Sequence, residues 1–314
     1  MMTARAGEIV CFSYLAAAHL WRVPQFPAAN SGAPIVEVED SIAADAPMTA
    51  AVLSALGVPT LLLTNEIGDD QLGEQVRAWL HQHRVPAAAA THGSLSTPSI
   101  TVVVDGVQTR TWFAHLPGVV GSLVEVDLSP VQTAAFVYVD AYELIETAAV
   151  RVITAARAAN VPLLINLGGS PLSDEVRGIV TGYEKLHIQT NVDDGNHAEA
   201  PAVARSLLTR TQAAWAVVTA GASGAVAVGS RDEIFVPAFP VNVRHTHCAG
   251  AAFSGGLLYG LHKGWSMERS LVIASASGAL RCARHHSAPL PTLVELEAAI
   301  AGGGLQQRQS RHAS

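Results

Sequence analysis

The stretch HTHCAGAAFSGGLLYGL, residues 245–261, decides the fold. Small residues from Cys248 to Ala252 come directly before an apolar run, and this pattern predicts a tight turn entering a helix over Ala249–Leu261. Free backbone N–H groups at such a helix start bind phosphate or carboxylate groups. The five small residues include no carboxylate. The stretch therefore predicts an anion cradle that lacks a side chain able to take a proton.

Outward from this stretch, short apolar runs alternate with amphipathic segments along the chain. The predicted strands are Ile9–Phe12, Thr60–Thr64, Ala135–Val139, Leu163–Asn166, His187–Thr190 and Trp215–Thr219. The predicted helices are Thr49–Leu56, Gln71–Leu80, Leu144–Ala158, Val203–Thr211, Ala249–Leu261, Met267–Ala283 and Leu293–Ala301. Buried strands that alternate with helices indicate an α/β fold whose mainly parallel sheet is covered on both faces.

Two segments break this alternation. Trp21–Val38 and Thr97–Phe113 predict short strands, the second with a hairpin signal at Asp105-Gly106. Together they predict a small β lid, with lid segments at about 14–40 and 95–118. Residues 1–301 are expected to form a single domain, and the polar tail 302–314 is expected to be disordered.

The composition narrows the classes of function. The chain has 314 residues, a formal charge of −7 and a pI of about 6.0, which argues against a nucleic-acid-binding surface. No apolar run is long enough for a membrane span, and no signal peptide is expected at the N-terminus. Three cysteines without metal-binding spacing fit a reducing cytoplasm, where we expect the protein to reside.

The order and spacing of four stretches carry a resemblance over the whole chain. They are IVCFSYLAAAHLWRVPQFP (9–27), DAPMTAAVLSALGVPTLLLTNEIGDDQLG (45–73), VTAGASGAVAV (218–228) and CAGAAFSGGLLYGL (248–261). In these stretches the chain resembles the ribokinase superfamily, also called PfkB-type carbohydrate kinases. The resemblance implies an αβα sandwich with a β lid, and phosphoryl transfer from ATP to a sugar or nucleoside.

The chain departs from that family where the acceptor would react. Relatives carry a catalytic Asp at the position of Ala251, while Cys248, Ala249 and Gly250 keep the backbone of the anion hole. Polar or glycine positions of the family's sugar pocket are apolar here, namely Ala16, Ala18, Ala43, Ala44 and Met48. A methyl group accepts no proton, and general-base assistance contributes about 10²–10⁴-fold to a rate. The sequence thus predicts that a free sugar is no longer recognised in the family's manner.

The donor side departs less. The family's Asn-x-x-Glu motif corresponds to Asn191-Val192-Asp193-Asp194, so a carboxylate remains at Asp194 for indirect binding of Mg²⁺. The resemblance assigns nucleotide contacts to Thr219, Gly221, Gly224 and Ser275. ATP and Mg²⁺ are accordingly the expected ligands of this half.

Other polar residues allow more than one interpretation. His245, His247 and Cys248 are candidates for a replacement acid, base or nucleophile, or for a soft-metal site. The adjacent His285-His286 is expected to cap a helix or to lie in solvent, and Asp69-Asp70 to form a turn and helix cap.

Three functions remain open. The first is an inactive or divergent kinase homologue that still binds a nucleotide or a phosphorylated ligand. The second is a repurposed enzyme that acts on a phosphate- or carboxylate-bearing molecule through His245 or His247. The third is an active ATP-dependent kinase with an unusual small-molecule acceptor, since phosphoryl transfer depends mostly on positioning and electrostatics. By the resemblance, a homodimer formed through the lid is also expected.

Overall fold

The computed structural model describes residues 7–106 and 110–311, of which 303–311 are described as backbone alone. The strands are β1 Ile9–Phe12, β2 Ala16–Arg22, β3 Glu37–Ala43, β4 Thr60–Leu63, β5 Ile67–Gly68, β6 Ala87–Ala88, β7 Thr91–His92, β8 Ser99–Val104, β9 Arg110–His115, β10 Phe136–Asp140, β11 Leu163–Asn166, β12 Leu186–Asn191, β13 Trp215–Thr219, β14 Ala225–Gly229 and β15 Glu233–Val236. The helices are α1 Asp45–Ala55, α2 Gln71–Gln82, α3 Val119–Val124, α4 Glu146–Ala158, α5 Asp174–Val180, α6 Ala200–Thr211, α7 Ala249–His262, α8 Met267–Ala283 and α9 Leu293–Arg311.

A large sheet forms the middle layer, in the order β15-β14-β13-β12-β11-β10-β1-β4-β6. The strands from β13 to β6 pair in parallel, and β14 and β15 add an antiparallel edge. In the central strand β1, Ile9 and Cys11 face one helical layer, while Val10 and Phe12 face the other. Burial on both faces explains why these strands read as continuous apolar runs, and it confirms the predicted α/β sandwich.

The layer that carries the 245–261 stretch holds α1, α2, α7, α8 and α9, and the opposite layer holds α3 to α6. Helix α7 is packed tightly between two neighbours. A Cβ at Gly255 would lie 2.7 Å from Val52 Cβ, and one at Gly256 would lie 2.8 Å from Ala274 Cα. Helices α1 and α7 run parallel, because Thr49 contacts Ala251 and Val52 contacts Gly255. Both helices therefore begin at the same edge of the sheet.

A second sheet, in the order β3-β2-β8-β9, forms the lid. The first two of these strands in the chain, β2 and β3, do not lie where the sequence predicts them. The segment Trp21–Val38 is mostly the loop between β2 and β3, because Pro24, Pro27 and Pro34 have no N–H to donate to a sheet. The strands themselves reach back to Ala16 and on to Ala43. Strands β8 and β9 pair as a hairpin on either side of residues 107–109, which lie outside the described residues.

Several element boundaries differ from the prediction. Helix α1 begins one turn early, at Asp45, because the Asp140 carboxylate accepts the N–H groups of Asp45 and Ala46. Helix α9 continues past Ala301 to Arg311, into the tail expected to be disordered, where Gln and Arg are good helix formers. As predicted, Asp70 caps α2 by accepting the N–H of Gly73 at 2.8 Å. Among the described residues, no helix is both long and apolar enough to cross a membrane.

Candidate active site

The start of α7 lies where the sequence predicts the cradle. Cys248 precedes the helix in the left-handed region, at φ 59°, and no atom lies within 4 Å of where a Cβ on Gly250 would stand. The second turn of α7 is tied to the sheet, since Gln189 Nε2 on β12 donates to Ser254 Oγ at 2.9 Å. Ala251, by contrast, is 0% exposed, and its carbonyl accepts a hydrogen bond from Thr49. The exposed Gly250 thus stands beside a buried methyl group, while the N–H of Ala249 already donates to the carbonyl of Thr246 at 3.3 Å.

The donor-side residues come together at the carboxyl ends of β12 and β13. Asn191 and Thr219 are register partners on these strands. The Asp194 carboxylate lies where a side chain on Gly221 would stand, and Gly221 has φ +50°. At Gly224, with φ +108°, a Cβ would meet the backbone of β15 and the residue after it. This arrangement places one exposed carboxylate over a glycine turn, which fits indirect Mg²⁺ binding beside a polyphosphate.

Ser275, for which the resemblance implies a nucleotide contact, makes a hydrogen bond within the protein. Its hydroxyl donates to the carbonyl of Pro237 at 3.0 Å, and the residue is 7% exposed. The bond ties α8 to the segment after β15. A nucleotide contact at Ser275 stays a prediction.

The five apolar replacements of the acceptor pocket lie in the lid and at the start of α1. Ala16, Ala18 and Ala43 are buried together in a small apolar cluster of the lid. Ala44 precedes α1 with φ 76°, a conformation that favours glycine, and Met48 is 1% exposed. None of these side chains offers a hydrogen bond to a hydroxyl group, and their place in the wall of an acceptor pocket stays a prediction.

A buried polar network stands behind that wall, and sequence reasoning missed it. The Asp140 carboxylate, 0% exposed, accepts hydrogen bonds from Tyr138 Oη at 2.8 Å and Asn166 Nδ2 at 3.0 Å. Asn166 Nδ2 also contacts Asp45 Oδ2 at 2.9 Å, and Tyr142 Oη donates to the same oxygen at 2.7 Å. Burial raises the pKa of Asp140 to about 7, and the neighbouring charge of Asp45 adds to the shift.

One feature of the sequence could have indicated this network, namely the position of its residues at the ends of apolar strands. Asp140 and Asn166 each end an apolar strand, and the two strands are neighbours in the sheet. Side chains at the carboxyl ends of parallel strands meet at the edge where α/β proteins bind ligands. Asp45 reaches the same edge because α1 begins there.

A histidine cluster lies on the other side of the cradle, between the lid and the end of α8. The rings of His245 and His286 stack with centroids 3.6 Å apart, and His247 lies 5.5 Å from His286. His247 Nε2 is 3.1 Å from the carbonyl oxygen of Ile42 on β3. Arg281, 2% exposed, places Nη2 3.1 Å from His286 Nδ1. The expectation that His286 caps a helix or lies in solvent was therefore wrong, because the lid and α8 bury it.

Burial shifts the pKa values of His245 and His247 in the opposite direction from that of Cys248. Burial lowers the pKa of both imidazoles to about 4, with the charge of Arg281 contributing, so both are neutral at pH 7. Burial raises the pKa of the Cys248 thiol to about 12, so it is not a thiolate nucleophile.

The model of the pfkB family of carbohydrate kinases matches residues 45–293, which include the cradle, the donor turn and the buried network. The chain belongs to the pfkB family. Among curated relatives, it is 24% identical over 193 residues to the 5-dehydro-2-deoxygluconokinase of Shouchella clausii, covering 56% of this chain and 59% of the relative. It is 31% identical over 83 residues to the enzyme of that name from Geobacillus thermodenitrificans, covering 26% of this chain and 25% of the relative. The chain thus matches less than two thirds of the length of these relatives.

Solved structures of other family members share the fold. The nucleoside kinase of Burkholderia thailandensis, in complex with inosine, superposes with a TM-score of 0.77 at 18% identity, over 94% of this chain and 97% of that one. The ribokinase of Arabidopsis thaliana, in complex with ribose and ATP, superposes with a TM-score of 0.74 at 15% identity, over 94% and 99%. These likenesses confirm the ribokinase-like fold expected from the sequence.

Within this pfkB-family chain, replacing His245 by Phe tests whether the buried imidazole is structural. Neither buried ring nitrogen of His245 makes a hydrogen bond of standard geometry, so Phe keeps the stack on His286 and loses only the contact with the Arg284 backbone. We expect about 1 kcal/mol higher stability at pH 7, the low end of the cost of an unsatisfied buried group. Urea unfolding at pH 7 and pH 5 measures the effect.

The pH dependence gives the variant a second readout. A lowered pKa makes folded His245 bind protons less readily than the unfolded chain does. The stability it contributes is present above pH 6.5 and is lost as the pH falls towards 4. The Phe variant should lose less stability between pH 7 and pH 5, whereas His81→Phe, at an exposed position on α2, should behave like wild type. A loss of more than about 1 kcal/mol at pH 7 would mean that the nitrogens do have partners.

Proposed function

We propose that this chain binds ATP with Mg²⁺ on its donor side and is a divergent kinase homologue with little or no phosphoryl transfer to a sugar. The observation that carries the proposal is the buried methyl of Ala251 beside the exposed Gly250 at the start of α7. Charge stabilisation at the cradle needs only backbone groups, whereas proton removal from a hydroxyl needs a base. A chain that keeps the first and lacks the second is suited to holding a phosphorylated ligand.

The repurposed-enzyme hypothesis has weaker support. His247 is held against the Ile42 carbonyl, and His245 is buried against His286, so neither imidazole faces the cradle with a free nitrogen at an exposed edge. A general acid or base must come within hydrogen-bond reach of the reacting atom. The cluster therefore favours a structural role for both residues.

An active kinase with an acidic acceptor is the second candidate, and Arg110 favours it. Arg110, exposed on lid strand β9, acts electrostatically on Asp45, His247 and Cys248, so its charge is directed at the acceptor side. Guanidinium groups recognise carboxylates well. The curated relatives are named for a sugar acid, 5-dehydro-2-deoxygluconate, and a carboxylate-bearing acceptor of that class would suit this pocket.

Isothermal titration with ATP tests the donor site, with and without Mg²⁺. We expect saturable binding that requires the metal, and about tenfold weaker binding in Asp194→Asn, because the amide is a poor partner for Mg²⁺ and its waters. Asp193→Asn is the matched control, since Asp193 is equally exposed but precedes the 3-10 turn Asp194–Glu199. Absence of binding at millimolar ATP, or equal losses in the two variants, would contradict the proposal.

A further inference from the structure

The edge strand of the lid meets the turn after α8 through three side chains that can bind a metal. Glu37 and Glu39 are two residues apart on β3 and so share one face of the lid. His285 reaches them from the turn, with Nε2 3.1 Å from Glu39 Oε1. One donor atom from each of Glu37, Glu39 and His285 lies within 4.8 Å of the others. We call these three residues the lid clasp.

The charges at the lid clasp are unbalanced. Two carboxylates face each other, and Arg22 pairs with only one of them, through Nε 3.0 Å from Glu37 Oε2. Two like charges that lie close together favour a cation between them.

A second observation concerns the buried oxygen Oε2 of Glu39 and its neighbour His286. Glu39 Oε2 is buried and has no hydrogen-bond partner. The side chain of His286 is 8% exposed, and its Nε2 points at that oxygen from 3.5 Å. Because the Arg281 guanidinium can only donate, His286 Nδ1 must accept, and Nε2 then carries the proton of the neutral ring. The N–H of His286 therefore points at Glu39 Oε2, while Glu39 Oε1 faces His285.

Ser287 orients the third ligand. Its Oγ is 2.8 Å from His285 Nδ1, and its backbone N–H donates to the same nitrogen at 3.3 Å. A metal at Nε2 would require the ring proton to move to Nδ1, where it can donate to the hydroxyl. Metal-bound imidazoles and carboxylates are held by outer contacts of this kind. The lid clasp has such a contact for His285 and another for Glu39.

The distances and donor types fit a borderline transition metal. Two ligands each about 2.0 Å from a tetrahedral zinc ion lie about 3.3 Å apart, close to the separation of His285 Nε2 and Glu39 Oε1. Calcium and magnesium favour sites made wholly of oxygen, whereas imidazole with carboxylate suits zinc. We propose that Glu37, Glu39 and His285 bind a divalent ion of the zinc type and thereby fasten the lid to the turn after α8. Three protein ligands leave a fourth position for water.

Titration of the chelator-treated full chain with zinc chloride tests the site, followed by calorimetry. We expect one tight site in the wild type, and at least about 100-fold weaker binding in His285→Ala and Glu39→Gln. Zinc should also raise the melting temperature of the wild type, because an ion that binds only the folded state stabilises it. The effect should be absent in both variants. With cobalt in place of zinc, visible absorption of tetrahedral cobalt should appear in the wild type and be lost in the variants.

His19→Ala is the matched control. His19 Nδ1 is 2.8 Å from Asp40 Oδ1 in the same lid sheet, so it makes a histidine–carboxylate pair without a second carboxylate. Zinc affinity should be unchanged in this variant. Absence of micromolar zinc binding in the wild type, or equal weakening by His19→Ala and His285→Ala, would overturn the proposal. Glu37→Gln, which keeps the size of the side chain, decides the matter if His285→Ala does not fold.

Discussion

The Ala251→Asp variant is expected to transfer phosphate from ATP about 100-fold faster than the wild-type chain. The new carboxylate would stand in the first turn of α7, beside the amides of the cradle, at the position where the resembling kinases carry their base. General-base assistance contributes about 10²–10⁴-fold, and we expect the low end because the acceptor wall is apolar. Release of ADP measures the rate, with water alone and with 5-dehydro-2-deoxygluconate, ribose or inosine.

Ala251→Asn is the control for this experiment. Asn has nearly the same size as Asp and places a polar group in the same buried position, but it cannot take a proton at neutral pH. Circular dichroism and melting curves of both variants show whether the buried polar group has disturbed α7. Equal rates in the wild type, Ala251→Asp and Ala251→Asn would show that the lost base is not what limits transfer. The alanines of the acceptor pocket would then be the more important change.

Asp140→Ala should cost about 4 kcal/mol of folding free energy, the largest stability effect that we expect from a single substitution in this chain. Asp140 accepts four hydrogen bonds, two from the N–H groups that begin α1 and two from Tyr138 and Asn166. Alanine leaves these donors buried without an acceptor. Urea unfolding at pH 7 measures the loss. The exposed Asp127, which accepts only from Ser129, is the comparison, and Asp127→Ala should cost much less.

The pH dependence of the same site provides an independent check. The pKa of Asp140 is raised to about 7, so the folded chain holds a proton that the unfolded chain releases near 3.8. The stability contributed by this proton is fully present below pH 3.8 and is lost as the pH rises through about 7. Asp140→Asn does not titrate, so its stability relative to the wild type should improve between pH 5 and pH 8. A constant difference would contradict the raised pKa.

Elements with strong periodicity could be predicted from sequence, as α8 at Met267–Ala283 and β1 at Ile9–Phe12 show. The lid strands β8 and β9 fall within the predicted segment Thr97–Phe113 or close to it, whereas β2 and β3 could not be placed from the prediction over Trp21–Val38. The antiparallel edge of β14 and β15 was also missed. Each of these strands is short, and β15 alternates exposed and partly buried residues at a sheet edge.

The candidate site likewise has parts that could be predicted from the sequence and parts that could not. The cradle at 248–250 and the turn at 219–224 could be found because each is a contiguous, glycine-containing stretch. The buried network could not, since Asp45, Asp140 and Asn166 are far apart in sequence and meet only when three elements end at one edge. The burial of His286 likewise depends on the folded lid, which no local pattern describes.

The parallel arrangement of α1 and α7 has a consequence for turnover. Both helices begin at the same edge, and since the Asp140 carboxyl group accepts the first N–H groups of α1, the positive dipole end that remains beside the cradle is that of α7. Such a field attracts a phosphorylated product as strongly as it attracts the donor. Long residence of an anion is a handicap for a fast catalyst, because the release step then limits the rate. For a protein whose task is to hold a phosphorylated molecule, the same long residence is an advantage.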